Sequence, residues 1–238
     1  MILQSVFIFV LGLVFGSFIT ALTWRFPKRI SIIRGRSICP NCKKQIAWYD
    51  NIPVLSYIIL RGKCRNCARK ISWRYPVIEL VTAIGFVLIG FQIFHLILFC
   101  ILEIIFVIDL EHQIIPDFFV FLGILVSFFV VQNSPFTVLL SGFICATSLL
   151  LIHLFTKGRG MGLGDVKLAV LGGILVGLSL SPVWLLVAFL TGGITGIILI
   201  LGKKAHFKSK IAFGPFLVIS IPITLLWGQK IIDIIFLR

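Results

Sequence analysis

Residues 96–115 read LILFCILEIIFVIDLEHQII. About twenty apolar residues is the length of helix that crosses bilayer hydrocarbon, so this stretch predicts a membrane helix that carries Glu103 and Asp109 inside it. Working outward, similar runs occur at Ile2–Trp24, Pro76–Phe94, Phe118–Val131, Phe136–Phe155, Val166–Leu180, Pro182–Leu201 and Ile211–Trp227, divided by polar or Gly/Pro breaks. Together they predict an all-α polytopic membrane protein with about eight transmembrane helices. Phe118–Val131 and Val166–Leu180 are short for a full crossing and suit partial penetration or a thinned bilayer. Composition agrees: 59% of the 238 residues are hydrophobic and 13% charged, and mean hydropathy is +1.14, far more apolar than a water-soluble domain requires. The first run lacks the basic start and small-residue cleavage site of a removable leader, so it reads as a span.

Charge sets the expected orientation. Of the 22 Lys and Arg, 13 lie between Arg25 and Arg74; Lys157, Arg159 and Lys167 mark a second basic loop, and Lys203, Lys204, Lys208 and Lys210 a third. With eight spans these loops share one face, which the positive-inside rule makes cytoplasmic, leaving Lys230, Arg238 and both termini outside. A net charge of +14 also suits a nucleic-acid binder, but orientation and anionic lipid already account for basic loops beside apolar spans. No nucleic-acid partner is expected; the lipid bilayer is.

Between the first two spans lies a segment with Cys39-Pro-Asn-Cys42 and Cys64-Arg-Asn-Cys67. Two C-x-x-C pairs at this spacing form a zinc-knuckle pattern, in which Cys39, Cys42, Cys64 and Cys67 supply four thiolates to one tetrahedral ion. Lys43, Lys44, Lys63 and Arg65 nearby favour the thiolate form. A cytoplasmic loop sits where disulfides rarely persist, and four protein ligands leave no open position, so the expected zinc is structural. Cys100 and Cys145 fall in apolar runs and read as small buried hydrophobes.

Only eight acidic residues occur, and most lie at or inside apolar runs, where an ionisable group marks function by default. Asp109 sits in Ile-Phe-Val-Ile-Asp109, and Asp165 closes Gly160-Met-Gly162-Leu-Gly164-Asp165, where Gly162 and Gly164 permit tight turns and close approach of an extended substrate. By span counting both aspartates reach the cytoplasmic leaflet. Two carboxyls sharing a partly dehydrated site can hold one proton between them, the arrangement that peptide hydrolysis by paired aspartates needs. Simpler roles stand beside this one. Asp165 can cap the following helix. Asp109 can pair with a base such as Lys167. Asp117, after Pro116, reads as a first-turn acid, and His112 as an interfacial polar residue on the face of Asp109. Glu103 lies about 120° around the helix from Asp109 and has no assigned role. The four histidines are scattered, and neither G-x-S-x-G nor H-E-x-x-H is present. From the acids and cysteines alone, a zinc-knuckle membrane adaptor or transporter remains an alternative to a protease.

The motifs taken in order resemble one family along essentially the whole chain. They are Gly16-Ser-Phe with Arg25-Phe-Pro27, Arg36 to Cys42, Asn51 to Tyr57, Arg61 to Cys67, and Arg74 to Glu79. Ile108-Asp-Leu-Glu-His112 with Ile115-Pro-Asp117, Gly160 to Lys167, and Phe213-Gly-Pro215 complete the set. The sequence is similar to the type IV prepilin peptidase/N-methyltransferases, and its short chain and compact loops resemble their Gram-positive competence members. The resemblance implies a GxGD-type intramembrane aspartyl protease of the bacterial inner membrane, with Asp109 and Asp165 as catalytic pair and pilin-like or pseudopilin precursors as partners. It implies cleavage after the glycine of a short basic leader, then S-adenosylmethionine-dependent methylation of the new N-terminus. It divides the chain into residues 1–94, the candidate methyltransferase region with Gly62 and Glu79, and residues 95–238, the peptidase domain. Thr20 and Ala212 depart from the family pattern, which usually has Asn and often Pro there.

Overall fold

An apolar run in lipid must satisfy its backbone internally, and a helix does so within one segment. The computed structural model describes residues 2–31, 36–132, 134–158, 160–203 and 211–236. Among them the α-helices are α1 (Ile2–Arg25), α2 (Leu55–Ile59), α3 (Arg74–Ile89), α4 (Ile93–His112), α5 (Asp117–Val130), α6 (Pro135–Phe155), α7 (Leu163–Leu201) and α8 (Gly214–Phe236). Five of these, α1, α4, α6, α7 and α8, are long and apolar enough to cross a membrane; α5 is apolar but shorter. Arg159, Lys204, Lys208, Lys210 and Arg238, used above for orientation, lie outside the described residues, as does one of the four histidines, His206.

Several expected boundaries move, each for a local reason. The run Pro76–Phe94 is helical only from Arg74 to Ile89, because Gly90 turns to φ 75° and donates its N–H to Phe86 O at 2.9 Å. The next helix therefore starts at Ile93 rather than Leu96 and stops at His112, where Gln113 takes a left-handed φ of 55°. The last helix continues past Trp227 to Phe236, with Gln229 Nε2 donating to Asp233 Oδ1 at 3.3 Å.

The break expected at Pro182 falls instead at Gly177, the non-helical residue within α7, at φ 74° and ψ 169°. Glycine alone enters that region without steric penalty. A methyl at Gly172 would run into the Trp184 ring, although a straight helix would set these residues about 18 Å apart. The chain therefore turns back at Gly177, and α7 is two helical segments, as the two apolar runs implied.

Contacts group the chain into two compact units, Met1–Ile104 and Ile105–Arg238, dividing inside α4. In the first unit, α1 lies against α3 through Gly12 and Gly16. A methyl there would sit 2.6 Å from Ala83 Cα and 2.7 Å from Glu79 Cα, respectively, so the backbones touch as small-xxx-small helix pairs do in lipid. Arg74 pins the start of α3 to the end of α1, donating to Thr20 O at 3.0 Å and Thr23 Oγ1 at 2.6 Å. Thr82 of α3 is hydrogen-bonded to Glu103 of α4, at 2.9 and 3.0 Å from the two carboxyl oxygens. In the second unit, Ser141 Oγ of α6 donates to Gly173 O at 2.8 Å, and the fully buried Trp184 donates through Nε1 to Leu217 O of α8 at 3.0 Å.

Candidate metal centre and active site

The two C-x-x-C arms fold alike. Cys39 N–H donates to Lys44 O and Lys43 N–H to Cys39 O; Cys64 N–H donates to Arg69 O and Ala68 N–H to Cys64 O, all at 2.9–3.0 Å. Lys43 and Ala68 close these turns at φ 59° and 55°. The result brings all four sulfurs within 4.8 Å of one another, with Cys39 and Cys67 Sγ 3.9 Å apart. Tetrahedral zinc with Zn–S bonds of about 2.3 Å sets sulfurs about 3.8 Å apart, so Cys39, Cys42, Cys64 and Cys67 fit that ion as the spacing predicted. All are free thiols.

The Cys42 backbone N–H, ahead of the neighbouring sulfurs, draws the Cys39 thiol down to about 7. This shift traces to the turn rather than to the nearby lysines that the sequence suggested. At Cys67 the Arg69 N–H pulls the same way, but burial and the sulfurs of Cys64, Cys42 and Cys39 outweigh it and push the thiol up to about 11. The first negative charge is accommodated and later ones are resisted, a balance that a central cation would reverse. Beside the cluster, Arg65 grips Asp50 at 2.7–3.1 Å and lies over the Tyr49 ring. That guanidinium holds the Asp50 carboxyl below its ordinary value, so the pair's contribution is complete at neutral pH and fades only as pH falls through the lowered value.

Gly62 and Glu79 are held by different partners. Gly62, at φ 65°, faces the Tyr57 hydroxyl, and its N–H donates to Tyr57 O at 2.8 Å. Glu79 is buried in α3 and accepts the N–H of Val54 at 2.8 Å. Val54 is a β-branched residue at φ 59° and ψ −49°, a conformation sustained only where the surroundings demand it.

In the second unit Asp109 lies in the last turn of α4 and Asp165 in the first turn of α7. Both are buried, at 4% and 9% exposure, although each carries a carboxyl group. Asp165 Oδ2 accepts the N–H of Gly162 at 3.1 Å, so Asp165 does cap α7, but from the third helical position reaching back to Gly162 rather than from the N-cap itself. Asp109 Oδ2 is buried with no hydrogen-bond partner among the described residues. The two acids are linked through Ile115. A methyl on Gly164, the residue before Asp165, would touch the Ile115 side chain at 3.1 Å; a methyl on Gly214 would touch the same side chain at 3.1 Å and Asp109 Oδ2 at 2.5 Å. One side chain thus lies against both Gly164, next to Asp165, and Gly214, which faces Asp109.

The competing roles resolve. Lys167 pairs with Asp117, 2.7 and 2.8 Å from its two oxygens, and His112 lies 4.0 Å from Glu111. His153, scattered in sequence, steadies the glycine loop: its Nδ1 lies 2.7 Å from Met161 O, and its ring underlies Gly158, which is at φ 74°.

Residues 10–93 match the Bacterial Peptidase A24 N-terminal domain, and residues 96–197 match the Type IV leader peptidase family. A Prepilin leader peptidase/N-methyltransferase of Pseudomonas aeruginosa is 32% identical, over 93% of this chain and 89% of its own length. The chain belongs to the type IV leader peptidase family. Relatives of the same printed name in Legionella pneumophila and Vibrio cholerae are 34% and 32% identical, covering 86% and 73% of the chain and 77% and 78% of their own lengths. No solved structure matches. Within this leader peptidase fold, sequence reasoning had Gly214 and Ile115 only inside the motifs Phe213-Gly-Pro215 and Ile115-Pro-Asp117 and gave neither a role at the site. Gly214 had a signal, a glycine directly before a proline at a helix start; Ile115 looks like any other apolar residue.

Proposed function

We propose that this chain is a prepilin leader peptidase that cuts pilin-like or pseudopilin precursors with Asp109 and Asp165 as its catalytic pair, and that it methylates the new N-terminus. The observation that carries the peptidase reading is the pair itself: two buried carboxyls from separate helices, with Ile115 against the neighbouring Gly164 and Gly214, and one oxygen of Asp109 without a partner among the described residues. In the reaction one carboxylate takes a proton from water while the other, protonated, donates to the scissile carbonyl oxygen. The new C–O bond gives a gem-diol. Its collapse breaks the C–N bond, the amine leaves with a proton, and one water has been consumed. Gly162 and Gly164, beside Asp165, give an extended substrate room to approach.

The zinc held by Cys39, Cys42, Cys64 and Cys67 would crosslink a loop too small to build its own core. S-adenosylmethionine, the methyl donor, supplies a methyl group to the freed amine. Residues 1–94 are the region we assign to that step, with Gly62 and Glu79 as its candidate residues, and residues 95–238 to cleavage. Eight crossings of the bacterial inner membrane, with α3, α5 and both segments of α7 counted as spans, put the basic loops and the zinc loop in the cytoplasm and both termini outside. A precursor with a basic leader ahead of an apolar helix rests with its cleavage site at that same cytoplasmic boundary.

Purified protein mixed with such a precursor, followed by mass spectrometry of the products, tests the reading. Wild type releases the leader, and Asp109→Asn and Asp165→Asn each abolish release while remaining inserted and folded. Substantial cleavage by either variant removes that aspartate from the mechanism.

A further inference from the structure

We propose that Gly214 is a positioning residue of the peptidase: the bare backbone at the start of α8 fixes where Asp109 Oδ2 sits and keeps open the space in front of it. This rests on the reading of Asp109 as a catalytic group. α8 is 23 residues long and begins at Gly214-Pro215. Pro215 has no N–H, and those of Phe216 and Leu217 are taken by Phe213 O at 3.0 and 3.2 Å. That leaves Gly214 as the first-turn residue whose N–H has no carbonyl partner among the described residues, and this N–H is directed at the Asp109 carboxyl instead.

The second observation is the acid. Asp109 is 4% exposed, its Oδ2 has no hydrogen-bond partner among the described residues, and that oxygen faces Gly214, a position at the start of α8 without a side chain. A methyl at Gly214 would lie 2.5 Å from Oδ2 and 3.1 Å from Asp109 Cγ, with Ile115 Cδ1 closing the other side at 3.1 Å. Carbon and oxygen meet without overlap at about 3.3 Å, so either the carboxyl or the helix start must move. The buried, unpartnered Oδ2 is a seat for a group that donates a hydrogen bond. Water and a peptide amide are the two such groups in this reaction. Any side chain at residue 214 would fill that seat.

The test is Gly214→Ala in the precursor-cleavage assay, with Gly193→Ala as control because a methyl at Gly193 meets nothing within 4 Å. We expect Gly214→Ala to lower kcat by roughly 10–100-fold, with KM changed by less than about twofold and an altered pH profile of kcat, and Gly193→Ala to match wild type. Thermal unfolding then separates positioning from folding: Gly214→Ala should lower Tm in the wild-type background and much less in an Asp109→Ala background, where the collision is gone. Wild-type kcat and Tm in Gly214→Ala, with Asp109→Asn inactive, overturn this inference and leave the peptidase reading intact. Equal Tm losses in both backgrounds also overturn it, because the glycine would then serve α8 alone. An active Asp109→Asn overturns the peptidase reading and this inference together.

Discussion

Glu103, the acid that the sequence left without a role, provides a test of what a buried carboxyl does away from the chemistry. It is 7% exposed, and its hydrogen-bond partner is the fully buried hydroxyl of Thr82, across from it on α3. Thr82→Val keeps the side-chain shape and deletes the hydroxyl, leaving both carboxyl oxygens in an apolar setting. A bond to a carboxyl is worth about 1.5–3 kcal/mol in a folded protein, and the methyl that replaces the hydroxyl returns about 0.8 kcal/mol. In lipid the unfolded reference also finds partners, which lowers typical interhelical bonds to about 0.6 kcal/mol. The expected net loss is about 1 kcal/mol, roughly a fivefold shift in the unfolding equilibrium.

Denaturant unfolding in detergent micelles measures it, with two further variants for comparison. Glu103→Gln should stay within about 0.5 kcal/mol of wild type, because its amide can donate to Thr82 Oγ1 while Thr82 donates to Ile78 O, 2.8 Å away. Thr82→Val/Glu103→Leu should regain what Thr82→Val loses, since both polar partners are gone together. If the double variant is less stable than Thr82→Val alone, the pair is not what couples α3 to α4. Cleavage gives a separate reading: Glu103→Gln should cut the precursor at the wild-type rate, and a large loss at unchanged stability would make Glu103 part of the reaction.

Three further outcomes follow from the same geometry. Metal analysis of protein purified without chelator should find one zinc per chain, and replacing any two of Cys39, Cys42, Cys64 and Cys67 with Ser should remove it along with protection of the loop from protease; native protein without zinc would refute the assignment. Asp117→Asn should keep most cleavage activity and lose less than about 1 kcal/mol, because its pair with Lys167 is half exposed and screened by salt; abolished cleavage in a folded Asp117→Asn would give this acid a chemical role. Gly16→Ala should destabilise the α1–α3 contact by about 1–3 kcal/mol, since the new methyl would lie 2.7 Å from Glu79 Cα; an unchanged unfolding midpoint would mean that the helices separate at no cost.

What the sequence made legible was whatever has a strong local signal. Apolar runs located the helices, and two C-x-x-C pairs located a cluster whose sulfurs do converge. Asp109 and Asp165 stood out because acids are rare in such runs. Helix ends were read less well: Gly90 and Gln113 stop helices inside apolar sequence through positive φ, which hydropathy does not register. The turn at Gly177 was assigned to Pro182, five residues on, because a proline is the more visible interruption. The alternatives for Lys167 and Asp117 stayed open because pairing across 50 positions depends on how α5 and α7 meet. The contacts of Ile115 with Gly164 and Gly214 were unread for the same reason.

Close approach of backbone explains more of this fold than apolar burial does. Large hydrophobic side chains such as Phe7, Phe18, Leu88, Phe121 and Ile197 are exposed, as lipid-facing residues would be, and gain little from packing against one another rather than against acyl chains. Contacts form instead where a side chain is missing or a polar group needs a partner: Gly12 on Ala83, Gly16 on Glu79, Gly173 under Ser141, Trp184 on Leu217 O. The candidate catalytic pair follows the same rule, since Gly164 and Gly214 both meet Ile115 and Gly214 meets Asp109. A carboxyl placed by glycine contacts is held by backbone on one side and left free on the other. That arrangement fixes the position of an acid within an apolar layer while Asp109 Oδ2 stays without a partner among the described residues, and it makes the glycines at 164 and 214 less replaceable than the apolar residues around them.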